Sequence, residues 1–308
     1  MDSGIWIYKD LLPAIEPEFR LSIGEGSTRI QKLELDYGSI YLKHEEENPS
    51  GSFKDRSMAY WMSKYNSFGK SDFVISSSGN AAMSAVSFAK LMHAELAVFV
   101  SVNIPKYKWD KLSKLSGNAT NIKLIKSIKP KSDAIRYANE TGALNLRGSS
   151  DGFAIEGFRT IGYELIEQNP NIDAIFICCS SGTSAIGIYN GIKQLSERPV
   201  KLNIVQTTKI CPIASVFDKQ YSRADRSLAN AVSDKVAKRK SELADIVKST
   251  GGSGWVVSDN ELIDAKAELV RHGINLDGYN AYVGFAGYKK AITNGIQYKY
   301  PVIIISGL

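Results

Sequence analysis

Residues 174–187, Ala174-Ile-Phe-Ile-Cys-Cys-Ser-Ser-Gly-Thr-Ser-Ala-Ile-Gly187, pass from an unbroken apolar run through a turn of small hydroxyl residues into the start of a helix. An apolar run of this length without alternation is what a strand buried on both faces requires. Strand, tight turn and helix in succession make the repeating half of a crossover unit around a parallel sheet. Working outward, the same succession recurs along the chain. Further apolar, β-rich runs lie at residues 73–77, 96–101, 122–125, 202–207, 255–258 and 302–306. Amphipathic stretches begin near Asp55, Asn80, Tyr107, Ser132, Glu156, Thr183, Ser233, Asp259 and Asn280, several of them behind a residue suited to an N-cap. The predicted fold class is α/β.

The 308 residues, 44% hydrophobic and 23% charged, can bury a large core and suit two lobes better than one. The first residues mix acids, bases and apolar groups without the pattern of a secretory signal. The longest apolar runs fall far short of the roughly 20 residues that cross a bilayer. Cys178 and Cys179 are adjacent and Cys211 stands apart, so neither a disulfide framework nor zinc-ligand spacing is present, which fits a reducing cytoplasm. His44, His93 and His272 share no spacing, and no metal site is expected. The net charge of +6 raises nucleic acid as a partner, with Lys235, Lys238, Arg239 and Lys240 as the densest basic run. Val236, Leu243, Ile246 and Val247 fall on one side of a helical repeat there, so the charges read as a solvated helix face. No nucleic acid or membrane partner is expected. The residues 147–152, RGSSDG, form the most loop-like stretch and mark the junction between lobes.

Four segments carry chemistry. In Asn48-Pro-Ser-Gly-Ser-Phe-Lys54-Asp-Arg56, Pro and Gly make a loop and Asp55 opens an amphipathic stretch, which sets Lys54 where a loop enters a helix. A helix N-terminus disfavours positive charge and so favours a nucleophilic amine; taken alone, a surface lysine explains the pattern as well. Ser76-Ser-Ser-Gly-Asn80-Ala-Ala-Met-Ser84 follows a strand and opens a helix, a ready anion site through hydroxyls and backbone N–H groups. Ser180, Ser181, Gly182, Thr183 and Ser184 have the same setting and would cradle a phosphate, or make an unoccupied tight turn. Ser306 ends the run PVIIIS, as a strand cap or a site hydroxyl. Nucleotide loops are excluded by spacing: position 64, where a P-loop ending in Gly69-Lys-Ser71 needs glycine, is lysine, and Gly24-x-Gly26 meets Arg29 where a third glycine belongs.

Taken together, the four segments resemble threonine synthases and their relatives among the fold-type-II pyridoxal-phosphate enzymes. NPSGSFKDR matches the family's N-P-T-G-S-F-K-D-R at every position but Ser50, which keeps the hydroxyl. The residues 77–82 match S-S-G-N-A-A, and 180–187 resemble the phosphate cup G-G-G-T-S-x-x-G with serines for two glycines. Supporting likeness runs through Tyr8-Lys-Asp-Leu-Leu-Pro13, Ile23-Gly-Glu-Gly-Ser-Thr28, Gly251-Gly252, Val257-Ser-Asp-Asn-Glu261 and His272-Gly-Ile274, essentially the whole chain. The resemblance implies pyridoxal 5'-phosphate as cofactor and Lys54 as the Schiff-base lysine and catalytic base. It gives Asn80 the cofactor's 3' oxygen, residues 180–184 its phosphate, and Ser306 the pyridine nitrogen. Ser77, Ser78 and Gly79 take the substrate carboxylate. Two lobes with three-layer parallel sheets follow, residues 45–148 carrying the lysine and substrate loop, and 1–44 with 149–308 carrying the phosphate loop. A homodimer is also implied.

The implied reaction is elimination and addition on an activated small amino acid, O-phosphohomoserine to threonine in the leading case. Serine or threonine dehydration, β-replacement of the cysteate-synthase type, and a cofactor-binding protein without turnover are the alternatives. The sequence departs from the family in two places. Many threonine synthases carry arginine two residues before the Glu-Gly that matches Glu156-Gly157, and here that residue is Ala154, leaving Lys111 or Arg159 to supply the charge. Tyr279 and Tyr282 stand where the family carries small residues, and would either narrow the pocket or lie on a helix surface.

Overall fold

The apolar runs form the strands of two sheets in the computed structural model, which describes residues 3–307. In chain order the elements are β1 (Ile30–Leu35), β2 (Gly38–His44), α1 (Lys54–Asn66), β3 (Asp72–Ser76), α2 (Asn80–Leu91), β4 (Glu95–Ser101), α3 (Lys106–Ser116), β5 (Ile122–Ser127), α4 (Pro130–Thr141) and β6 (Leu144–Asn145). They continue with α5 (Phe153–Glu156), α6 (Arg159–Gln168), β7 (Ala174–Cys178), α7 (Thr183–Leu195), β8 (Lys201–Thr207), α8 (Lys240–Ser249), β9 (Gly254–Val257), α9 (Asp259–Arg271), α10 (Val283–Thr293) and β10 (Pro301–Ile305). The chain divides into two units, the first formed by the chain up to Ser27 with Asn48–Gly157, the second by Thr28–Glu47 with the chain from Phe158.

The first unit is built on a four-stranded parallel sheet ordered β5-β4-β3-β6. Val74, Ala97 and Phe99 pack with Ala134 of α4 and Ala143. Strand alternation turns Phe73, Ile75, Leu96 and Val98 to the opposite face, where α2 lies against β3, β4 and β5. The chain up to Ser27 groups here and Thr28–Glu47 with the second unit, so the expected placing of residues 1–44 in the larger lobe changes only up to Ser27. Trp6 lies 6.0 Å from the ring of Tyr60 on α1, the Leu21 N–H reaches Ser63 Oγ at 2.8 Å, and Tyr60 Oη donates to the Pro13 carbonyl.

The second unit holds a six-stranded sheet ordered β1-β2-β10-β7-β8-β9. All its pairings are parallel except β1 with β2, an antiparallel edge hairpin outside the expected strands. Helices α9 and α10 bury Leu262, Ala265, Leu269, Phe285 and Ala286 against Phe176, Val205, Val257 and Ile303 of the sheet. Gly287 lets α10 sit close, since a Cβ there would stand 2.3 Å from Val205 Cγ2. The helix expected near Ser233 begins only at Lys240. Asp234 Oδ1 accepts the N–H groups of Val236 and Ala237, Ala237 adopts φ +45°, and Val236 is 67% exposed, so 235–239 form a turn and not a helix face. Among the described residues no helix is long and apolar enough to cross a membrane.

Candidate active site

In the first unit, the loop before α1 is fixed by its own polar atoms. Asn48 Oδ1 accepts the Gly26 N–H at 2.9 Å, the Gly51 N–H closes on the Asn48 carbonyl at 2.7 Å, and Gly51 takes φ +88°. Asp55, fully buried in the first turn of α1, accepts the Ser50 N–H at 2.7 Å and the Ser50 hydroxyl. A carboxylate in that position also suits the positive end of the helix. The clamp sets Lys54 as the first residue of α1, half-buried, with its N–H 3.3 Å from Ser52 Oγ and its Nζ 4.6 Å from the centre of the Phe53 ring. Gly157 explains itself here: a Cβ on it would fall 1.8 Å from the Arg56 carbonyl oxygen.

The second loop of this unit leaves the carboxyl end of β3. Ser77, Ser78, Gly79 and Asn80 are all half-buried, the Gly79 N–H bonds Ser77 Oγ at 3.3 Å, and Asn80 opens α2. Space beside Gly79 is open, with no atom within 4 Å of where a Cβ would stand. The first amides of α2 lack intrahelical acceptors, so the loop offers N–H groups and hydroxyls to a carboxylate. Lys111 is exposed on α3, a helix packed on α2.

In the second unit, register decides what meets what. Ile304 pairs with Ile177 and Cys178 with Val205, so extending the ladders sets Ser306, Cys179 and Gln206 level on adjacent strands β10, β7 and β8. Ser306 is 8% exposed and is followed by Gly307 at φ +145°. It therefore emerges beside the start of the 180–184 turn. This is the carboxyl edge of the parallel strands, where open α/β sheets bind ligands. Gly182 precedes α7 at φ +97°, and Ser181 Oγ lies 3.0 Å from Thr183 Oγ1. Thr183 and Ser184 are buried. Ser180 Oγ accepts the N–H groups of Ser233 and Asp234 at 3.1 and 3.2 Å, which ties the irregular 233–239 segment to the turn. Hydroxyls, first-turn amides and the positive end of a 13-residue helix converge in one turn, a fit for a phosphate dianion.

Two positions were not legible as site components. Gln206, fully buried, donates from Nε2 to the carbonyls of Cys179 and Ser180 at 3.2 and 3.3 Å and accepts the Ile213 and Ala214 N–H groups at 2.9 Å. Its only signal is a buried amide beside Ile204 and Val205, in a strand that already carries Asn203. The 233–234 amides gave none.

Four residues singled out in the sequence have defined surroundings. Arg159 opens α6 and directs Nη1 to Gln194 near the end of α7. Gln194 lies about 16 Å along the helix from Thr183, so this contact of Arg159 is made at the end of α7 away from the turn. Ala154, 1% exposed, is packed in α5 with its carbonyl accepting the Ser57 hydroxyl at 2.7 Å. Tyr282 neither narrows a pocket nor lies on a surface. It is fully buried, its oxygen accepting the Leu276 N–H at 2.7 Å and donating to the Leu276 carbonyl, and burial raises its pKa. Tyr279 is half-buried beneath the Lys266 ammonium, 5.1 Å from the ring centre.

Known proteins resemble the chain along most of its length. A threonine synthase of Methanocaldococcus jannaschii is 26% identical over 95% of this chain and 76% of its own length. An L-threonine ammonia-lyase of Thermotoga maritima is 26% identical over 89% of this chain and 68% of its own. Maize serine racemase shares the fold, with a TM-score of 0.76 at 20% identity over 91% of this chain and 87% of that one. The family model described as "Pyridoxal-phosphate dependent enzyme" matches residues 21–307, and the chain belongs to that family.

Proposed function

We propose that this enzyme is a lyase of the threonine-synthase type, acting by elimination and addition on a small amino acid with an activated side chain. The observation that carries the proposal is the NPSGSFKDR segment, with Lys54 at the head of α1 and Ser50 clamped by Asp55, in a chain related along nearly its whole length to a threonine synthase.

In this reading Lys54 Nζ holds the cofactor covalently and, when free, takes the proton from the substrate α carbon. Asn80 donates to the cofactor's 3' oxygen, and residues 180–184 hold its phosphate. Ser77, Ser78 and Gly79 orient the substrate carboxylate, which fixes the α C–H bond for removal. Ser306 offers a neutral hydroxyl to the ring nitrogen. The bound cofactor supplies an electron sink for the α carbon, and a neutral partner at its nitrogen keeps that sink moderate, which suits elimination and replacement over transamination.

A second reading, dehydration of serine or threonine, is favoured by Ala154, which is buried and uncharged where many threonine synthases place an arginine. A substrate panel separates the two. Inorganic phosphate and threonine released from O-phosphohomoserine support the first. A ketoacid from serine or threonine, with no phosphate from O-phosphohomoserine, supports the second and overturns the first.

A further inference from the structure

We infer that Gln206 is a positioning residue for the cofactor phosphate: it sets the peptide planes of the 180–184 turn so that the Ser180 and Ser181 amides point at the anion. The inference rests on the reading of that turn as the phosphate site. Gln206 Nε2 takes the carbonyl oxygens of Cys179 and Ser180 at 3.2 and 3.3 Å. In a trans peptide the carbonyl and the following N–H point in opposite directions. Two carbonyls turned toward Gln206 therefore turn the N–H groups of Ser180 and Ser181 away from it. No other orientation of those two planes keeps both bonds.

The amide of Gln206 is itself locked. It is fully buried, and its Oε1 accepts the Ile213 and Ala214 N–H groups, both at 2.9 Å. Those two bonds fix which end of the amide donates, so Nε2 faces the turn. A second tie comes from the other side, where Ser180 Oγ accepts the Ser233 and Asp234 N–H groups. In a turn with serines in place of two glycines, the side chain of Gln206 replaces conformational freedom with fixed direction. An anion-binding nest needs successive N–H groups on one side, and Gln206 turns two of them to the side away from itself.

The test compares pyridoxal phosphate with pyridoxal, which lacks the phosphate, by absorbance titration of the wild type, Gln206→Glu and Gln206→Met. Gln206→Glu keeps the acceptor for Ile213 and Ala214 and loses the donor, whereas Gln206→Met loses both. The wild type is expected to bind pyridoxal phosphate more tightly than pyridoxal. Both variants should lose about tenfold of that preference, the worth of two hydrogen bonds, with pyridoxal affinity little changed. Unchanged preference in folded variants overturns the inference, and an equal loss for both ligands does so too, because it marks a merely structural role. A wild type without phosphate preference overturns the underlying reading of the turn instead. Should neither variant fold, hydrogen exchange of the wild type decides: inorganic phosphate is expected to slow the Ser180 and Ser181 amides, and no slowing overturns the inference.

Discussion

Gly182→Ala is the substitution that most sharply separates a phosphate turn from an ordinary one. Gly182 sits at φ +97° and ψ −14°, and a Cβ there would stand 3.0 Å from Leu243 Cδ2 and 3.6 Å from Arg239 Cβ. A methyl on backbone in this region costs about 1–3 kcal/mol, while the Leu243 methyl, at the end of a flexible side chain, can yield. In the free protein the turn relaxes to shed part of that cost, and the first amides of α7 rotate off the anion. Since binding requires the unrelaxed turn, the cost returns in the affinity, about fivefold to 150-fold for 1–3 kcal/mol. Gly142→Ala is the control: φ is +76°, no atom lies within 4 Å of the added carbon, and the residue caps α4. Unfolding midpoints and absorbance titrations with pyridoxal phosphate should show both variants destabilised but only Gly182→Ala weakened in binding. Wild-type affinity in Gly182→Ala, or the same loss in Gly142→Ala, refutes the reasoning.

Three further outcomes are expected. Lys43 and Glu164 form an ion pair buried at 0% and 3% side-chain exposure, with Lys43 also donating to Gln168 and the Thr28 carbonyl. Lys43→Met leaves Glu164 charged and buried and should cost about 3–5 kcal/mol in denaturant unfolding, most of it recovered by adding Glu164→Leu; no recovery would contradict the pairing. Burial lifts the Glu25 carboxyl from 4.5 to about 7. Because its folded pKa lies above the unfolded one, stability should fall as pH rises from 4.5 to 7, by about 3 kcal/mol at most, and level off above. Glu25→Gln should remove that slope, and an unchanged slope would refute the assignment. Gly157→Ala drives a methyl into backbone, 1.8 Å from the Arg56 carbonyl oxygen, and should lower the unfolding midpoint far more than Gly79→Ala, where the space is open and φ is negative.

How much was legible follows from what each residue type can do alone. β7 and β10 were readable because strands buried on both faces must be continuously apolar. The β1–β2 hairpin was missed because its faces mix exposed and buried positions and because Lys43, a buried charge, breaks the apolar pattern of β2. The start of α8 was misplaced by periodicity: Val236 fits a helical stripe with Leu243 and Val247, yet the Ser233 and Asp234 amides are drawn to Ser180, and Ala237 turns the chain at positive φ. Lys54, Asn80 and the 180–184 turn stand out as candidates only through motif, since a loop residue's role depends on neighbours far along the chain. Gln206 acts only through the register of β8 with β7, and nothing local to it announces a partner 27 positions away.

The most direct measurement of the central claim is peptide mapping by mass spectrometry after borohydride treatment of the protein loaded with pyridoxal phosphate. The account predicts a stable phosphopyridoxyl group on the peptide that contains Lys54, and its loss, together with the visible absorbance of the bound cofactor and turnover, in Lys54→Ala. A label on another lysine, or turnover that survives in Lys54→Ala, would contradict it.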